Sequence, residues 1–294
     1  MPSLAEFLGT WGFNPVAFLF AGVFGALYLL GLARLSRQGM RWPIWRTASF
    51  FLLGLGLYIW AEFGFLHVYS QQLRWAFTTR IALDLFGVPL AMLLGKPLEL
   101  TRLALAPGSA KRLDRFFDSM LVRLFGNAIF APLFALAFFM LFITPAGAVM
   151  RESIVWQHLT TVLAPILGLL MVLPMTKTAS PRSTLFHTGE FFIAFVELML
   201  DAIPGVVLSI STTVLDGAAA VTGHLPAWFP SAIDDQHFSG NLLWMIAESV
   251  DIPILIMLFI RLAHADRRDA KTVDNLSDAD FEELTRAHLR GPRR

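Results

Sequence analysis

Asp234-Asp235-Gln236-His237-Phe238-Ser239-Gly240 runs without a break into Asn241-Leu242-Leu243-Trp244-Met245-Ile246-Ala247-Glu248, and the apolar run continues to Leu262 with Asp251 inside it. A run of that length crosses a hydrocarbon core of about 30 Å. Carboxylates, an amide and an imidazole therefore stand at the mouth of a membrane span. Glu248 and Asp251 lie within it, where an isolated charge costs several kcal/mol. Groups so placed are either held by partners or put to use.

The same reading extends along the chain. Of 294 residues, 56% are hydrophobic and 15% charged, with a mean hydropathy of +0.62, too apolar for an ordinary soluble domain. Apolar runs at 15–35, 47–69, 75–94, 127–149, 154–175, 185–215 and 241–262 predict an all-α, polytopic bundle of about seven transmembrane helices. Residues 1–262 are expected to form one membrane domain and 263–294 a polar cytosolic tail. Cysteine is absent, which excludes disulfides, thiolate metal sites and iron-sulfur clusters. Met1-Pro2-Ser3-Leu4-Ala5-Glu6 lacks the basic start of a secretory signal, so the first run is expected to remain in the mature protein.

Loop charges set the orientation, because Lys and Arg near span ends favour the cytoplasm. Arg34, Arg37, Arg41 and Arg46 follow the first run; Lys96, Arg102, Lys111, Arg112, Arg115 and Arg123 the third; Lys177 and Arg182 the fifth; Arg267, Arg268 and Lys271 the seventh. The alternate connections hold only Arg74, then Arg151, then no basic residue from Asp216 to Gly240. This alternation places the N-terminus outside, the C-terminus inside and the 234–237 segment on the outer face. Within the cytoplasmic segment 97–125, Leu113, Phe116, Phe117, Met120, Leu121 and Leu124 recur at helical spacing opposite arginines. That pattern fits a basic amphipathic helix on the bilayer surface or a docking face for a partner. Trp60, Trp75, Trp156, Trp228 and Trp244 fall near run ends, as interfacial anchors do.

Mapped onto this topology, Glu62, Arg80, Asp84, Glu197, Asp201, Asp235, Gln236, Trp244, Glu248 and Asp251 line a polar cavity in the outer half of the membrane. Arg80 and Asp84 are four residues apart on one helical face, which suits a structural ion pair or a gated proton step. Glu197 and Asp201 share that spacing and repel unless a proton, Arg80 or a metal lies between them. His67, His158 and His237, with Met245 as a soft neighbour, are the candidate metal donors; imidazole and thioether together suit copper. Each also has an ordinary reading, as a hydrogen-bonded helix-end residue or as packing. No serine-hydrolase elbow, phosphate-binding glycine loop or zinc-protease helix motif is present, so no catalytic activity of its own is expected.

Tyr28-Leu29-Leu30-Gly31 with Arg41-Trp42-Pro43 and Arg46, then Gly95-Lys96-Pro97-Leu98-Glu99-Leu100, and Asp235-Gln236 through Trp244 and Glu248 with Asp266-Arg267-Arg268, resemble the CtaG-type cytochrome c oxidase assembly proteins, especially the actinobacterial ones. The resemblance covers most of the chain. It implies a multi-pass protein of the bacterial plasma membrane that helps assemble a haem-copper oxidase and handles copper for its outer-facing copper centre. It also implies a histidine pair where Arg80 and Asp84 stand here, and a histidine where Asp201 stands. His158 and the Asp235, Gln236, Trp244 and Glu248 set remain in place.

Three functions follow as alternatives. One is an oxidase assembly factor that delivers or shields copper. Another is a non-metal paralogue acting as a structural or accessory subunit of a membrane complex. The third is a proton- or cation-coupled transporter, which the lack of an internal repeat disfavours. The expected partners are the lipid bilayer and a membrane protein, an oxidase subunit first; no nucleic acid is expected.

Overall fold

The computed structural model describes residues 2–127, 130–172, 184–217 and 226–274. Among them every regular element is helical: α1 (Leu4–Gly9), α2 (Pro15–Arg37), α3 (Ile44–Val68), α4 (Arg74–Leu94), α5 (Pro97–Ala104), α6 (Pro107–Phe117), α7 (Met120–Phe125), α8 (Phe130–Ile143), α9 (Pro145–Glu152), α10 (Ile154–Val172), α11 (Thr184–Ile210) and α12 (Ala232–Asp274). The connection that carries Lys177 and Arg182 and the tail beyond residue 274 lie outside the described residues.

Five of these helices are long and apolar enough to cross a membrane: α2, α3, α4, α10 and the Phe191–Ile210 part of α11. The bent pair α8 and α9 makes a sixth if it counts as one span. The straight span expected over 127–149 is corrected here, because the axis turns by 86° between Ile143 and Pro145. Thr144 is extended (φ −108°, ψ 166°) and Pro145 opens the next helix, where its missing N–H costs nothing. The apolar run 241–262 lies inside α12, a helix of 43 residues that also takes in the beginning of the expected tail.

In the middle of the bundle stands α4. All nine residues from Arg74 to Ala82 are buried, whereas α2 turns Leu19 and Leu27 outward at 68% and 60% exposure, as a lipid-facing helix does. Phe77, Ile81 and Leu85 of α4 pack against Phe139 and Phe142 of α8, Leu208 of α11 and Leu243 of α12. Lower on α4, Val88 and Met92 join Tyr28, Phe50 and Leu100. Between α11 and α12 the backbones nearly touch, since a Cβ on Gly205 would lie 2.8 Å from the Gly240 carbonyl oxygen.

One end of the bundle is tied by the α2–α3 turn and the start of α5. Tyr28 donates its hydroxyl to the Gly95 carbonyl at 2.9 Å, Trp42 Nε1 donates to the Tyr28 hydroxyl at 3.1 Å, and Arg46 meets Glu99 at 3.1 Å. Lys96 adopts a left-handed conformation (φ 47°, ψ 51°) ahead of Pro97 and reaches Glu99 at 3.3 Å. At the other end the expected tryptophan belt is partly drawn inward. Trp75 is 5% exposed and stacks on Phe65 and Phe7 at 5.4 and 6.2 Å. Trp228 donates to Glu6 at 3.0 Å, so of the five only Trp156 and Trp244 stand out at 43% exposure.

Candidate functional site

Arg80 lies in the second turn of the central helix with no exposed surface. Its Nη1 donates to Glu62 Oε2 of α3 at 3.3 Å and lies 3.4 Å from His67 Nδ1. Its Nη2 donates to Gln157 Oε1 and, at 3.3 Å, to Thr160 Oγ1, both on α10. Glu62 is likewise fully buried, and its Oε2 also accepts from Asn14 Nδ2 at 2.7 Å and Thr161 Oγ1 at 2.9 Å. Asn14 can serve here because its Oδ1 caps α2, accepting from Val16 and Ala17 at 3.1 Å and leaving the amide nitrogen aimed at the carboxylate. Four helices thus converge on one ion pair.

The pairing of Arg80 with Asp84 is corrected by this geometry, because the salt bridge runs across helices to Glu62. A strict four-residue register does not hold at Asp84, where α4 widens into a π-helical turn over Leu83–Gly87. Asp84 is 1% exposed, shares a side-chain hydrogen bond with Glu62 and interacts electrostatically with Arg80, while its Oδ1 has no hydrogen-bond partner. The same wide turn lets α10 approach. A Cβ on Gly168 would lie 2.6 Å from Pro89 Cγ and 2.8 Å from the Leu85 carbonyl carbon.

A second group ties α4 to α12. Asp235 receives the backbone N–H of Arg74 at 2.7 Å and of Trp75 at 2.9 Å, so it supplies from another helix the cap that Leu73 cannot. The Arg74 guanidinium forms a two-pronged pair with Asp216 and donates to Gln236 Oε1 at 2.8 Å. Gln236, with no exposed surface, accepts from Leu215 N at 2.9 Å and donates to the Thr213 carbonyl at 3.0 Å. Arg151 approaches Asp216 at 3.7 Å and donates to the Gln71 and Gln72 carbonyls at 3.3 Å. Gln157 joins the two groups, since its Nε2 donates to the Arg151 carbonyl at 2.7 Å while its Oε1 takes Ser70 at 3.0 Å and Arg80. Thr78 and Ser239 close the α4–α12 contact at 2.7 Å.

The single cavity anticipated from sequence resolves into this network and a separate acidic group. Glu197 on α11 interacts with Asp251, and Asp251 with Glu248, on α12. None of the three shares a hydrogen bond or ion pair with the Arg80 network among the described residues. The side chain of Asp201 lies outside the described residues. Trp244 and Met245 face outward at 43% and 56% exposure. His237 is engaged with the Ser211 carbonyl at 2.9 Å, and eight residues of helix separate it from Met245, roughly 12 Å of rise. His67 interacts electrostatically with His158. A guanidinium lies 3.4 Å from His67 Nδ1, and no group of three or more His, Asp and Glu side chains that could hold a metal ion occurs among the described residues.

Asn14, Ser70, Arg74, Arg151, Gln157, Thr160, Thr161 and Asp216 were not foreseen as site residues. Arg74 and Arg151 did leave a signal, as solitary arginines in connections otherwise without basic charge. The uncharged residues left none, because only their partners on other helices mark them.

Comparison with known proteins adds a family. The model for the cytochrome c oxidase caa3 assembly factor, Caa3_CtaG, matches residues 26–265. Uncharacterized proteins of Mycobacterium bovis and Mycobacterium tuberculosis are each 24% identical over 291 residues, 95% of this chain and 43% of theirs. One from Mycobacterium leprae is 22% identical over 290 residues, 95% of this chain and 43% of its own length. The chain therefore spans less than half the length of these relatives. No solved structure matches. The matched region takes in α3, α4, α10 and most of α12, and on that extent the chain belongs to the cytochrome c oxidase caa3 assembly factor family.

Proposed function

We infer that the protein helps assemble a haem-copper respiratory oxidase in the bacterial plasma membrane, without catalysis of its own, by binding a membrane subunit, and that its polar centre is held by an ion pair in place of a metal. Arg80 carries this reading: a guanidinium with no exposed surface, paired with Glu62, fills the space among α3, α4 and α10. Guanidinium is never deprotonated in such a site, so a positive charge stands permanently where a cation would have to enter.

A seven-span topology with the residues before α2 outside and the tail inside completes the proposal. The run 241–262 in α12 would add one crossing to the five helices and the bent pair. Arg74, Arg151 and Asp216 come from alternate connections and meet at one end, whereas Arg46, Lys96 and Glu99 meet at the opposite ends of α3 and α4. That sharing of ends supports the alternation. Residues 1–262 would then form the membrane domain, with 97–125 cytoplasmic and 263–294 a cytosolic tail.

Copper handling at the outer face is a second reading, which the electrostatic interaction of His67 with His158 motivates. There copper would be cargo. The deciding experiment pairs a deletion strain with metal analysis of the purified protein. Loss of oxidase activity with no stoichiometric copper on the protein fits the first reading. Stoichiometric copper that disappears in His67→Ala and His158→Ala replaces it with the second, and an unchanged oxidase in the deletion strain removes both.

A further inference from the structure

The segment formed by α6 and α7 has two apolar faces, and the fold uses one. Phe117 and Val122 turn inward at 5% and 3% exposure, Phe117 beneath the Arg102 guanidinium of α5 at 5.7 Å. Phe125 packs edge-on against Phe130 and Phe134 of α8 at 5.4 and 5.0 Å. On the outward face Phe116, Met120 and Leu121 are 53%, 82% and 63% exposed, among the exposed side chains of Arg112, Arg115 and Arg123. A water-facing connection gains nothing from three large bare hydrophobic side chains, while a face that is apolar at its centre and cationic at its edge matches a phospholipid leaflet.

We propose that α6 and α7 form a docking surface for anionic phospholipid, with Phe116, Met120 and Leu121 entering the boundary between headgroups and acyl chains and Arg112, Arg115 and Arg123 binding lipid phosphates. Two observations favour a leaflet over a protein. First, the apolar helix α8 starts five residues after α7 ends and exposes Leu133 at 48%, so the chain passes from this surface directly into lipid-facing structure. Second, the same combination recurs on the α2–α3 turn, where Ile44 and Trp45 are 84% and 56% exposed beside exposed Arg37 and Arg41. That turn is tied to the start of α5 through Arg46 and Glu99. A belt of this make-up around one end of the bundle is what a headgroup layer meets; a protein partner needs only one side.

The chain has no cysteine, so Leu121→Cys provides a single thiol for an environment-sensitive dye. The labelled full-length protein is placed in nanodiscs of phosphatidylcholine and phosphatidylglycerol, with brominated acyl chains on one lipid or the other. The dye should be quenched by brominated chains and spared by aqueous iodide. Brominated phosphatidylglycerol should quench preferentially, with a gain of about fivefold for each arginine engaged. Arg112→Gln, Arg115→Gln and Arg123→Gln together should erase that preference, and Phe116→Ser with Met120→Ser should expose the dye to iodide; all five side chains point outward, so thermal unfolding should be unchanged. Iodide quenching in the unsubstituted protein, equal quenching by both brominated lipids, or shielding that appears only when an oxidase subunit is added would each overturn the proposal.

Discussion

Replacing Arg80 with Met tests the central ion pair most directly. Methionine keeps much of the side-chain volume and removes the charge, which leaves Glu62 as a carboxylate with no exposed surface. At the 3.3 Å separation of Nη1 and Oε2, the Coulomb term is about 5 kcal/mol for an effective dielectric near 20. Glu62 keeps the Asn14 and Thr161 hydrogen bonds at 2.7 and 2.9 Å, which offset part of the loss. Gln157 and Thr160 also lose the guanidinium donors, at about 1 kcal/mol each. The expected cost of Arg80→Met is therefore about 3–5 kcal/mol, the usual range when one partner of a buried pair is removed. Equilibrium unfolding in detergent or bicelles measures it, with Glu62→Met and the double variant completing a cycle. The double variant should recover the part of the loss that comes from the buried charge, and not the part that leaves Gln157 and Thr160 without donors. A single-variant cost below about 1 kcal/mol would show that water or another cation reaches Glu62, and the closed centre would be wrong.

Five further outcomes follow from the same geometry. Asp84→Asn should cost under about 1 kcal/mol, because Arg80 pairs with Glu62 and an amide at 84 can donate in the hydrogen bond that Asp84 shares with Glu62; a loss as large as that of Glu62→Gln in the same unfolding assay would refute this. Asp235→Ala should cost about 2 kcal/mol by uncovering the first N–H groups of α4, which accept no other cap, and hydrogen exchange at Arg74 and Trp75 should rise. Gly168→Leu should prevent α10 from seating on the Leu85 turn and lower the yield of folded protein, while Met245→Ala on the outward face should leave stability within about 0.5 kcal/mol. Glu6 is held below the usual carboxylate range by the Ser3 backbone N–H and then by the Ser3 hydroxyl. A depressed folded value means stability that is present above the unfolded value of 4.5 and lost as pH falls through the folded one, so the protection of the α1 amides, with the intrinsic pH dependence of exchange divided out, should be flat from neutral pH to about 5 and fall only below it.

The runs at 15–35, 47–69, 75–94 and 154–175 were read within a few residues of the helices that carry them, since length and composition alone decide whether a segment can cross, whereas 241–262 is part of a helix of 43 residues. The bend at Thr144–Pro145 escaped because apolarity continues through it, although Thr-Pro-Ala-Gly at 144–147 is a turn signal. Gly147 shows why the bend needs that residue: a Cβ there would sit 2.7 Å from Phe142 Cα. At the site, Glu62, Arg80, Asp84, Asp235 and Gln236 were legible as polar groups that the membrane forces into partnerships, and all are buried. Which partner each takes was not legible. Spacing along one helix proposed Asp84 for Arg80, whereas the guanidinium is long enough to cross to α3 and α10. The outward phase of Trp244 and Met245 was equally hidden, because an apolar run looks the same whether it faces lipid or protein.

The residues that carry the family resemblance and those that depart from it occupy different parts of the bundle. Tyr28, Trp42, Arg46, Gly95 and Glu99 form the contacts that tie one end together, and Asp235 and Gln236 tie α4 to α12 at the other. Arg80 and Asp84, standing where the resemblance implies a histidine pair, lie between these two clasps. The clasps can hold the helices in register whichever group fills the space between them, so the fold tolerates a change at its centre. A buried ion pair is seldom worth more than a well-packed apolar substitute, and stability alone is therefore a weak reason for Arg80. Its four polar neighbours on α3 and α10, with Asn14 at the start of α2 bonded to Glu62, supply a stronger one: Glu62, His67, Gln157 and Thr160 meet one guanidinium only when those helices meet α4 at one height. The pair then serves to specify a single arrangement of the helices. The Arg80→Met, Glu62→Met double variant separates the two roles, since it should be more stable than Arg80→Met alone yet still exchange the amides of α3 and α10 faster than the unsubstituted protein.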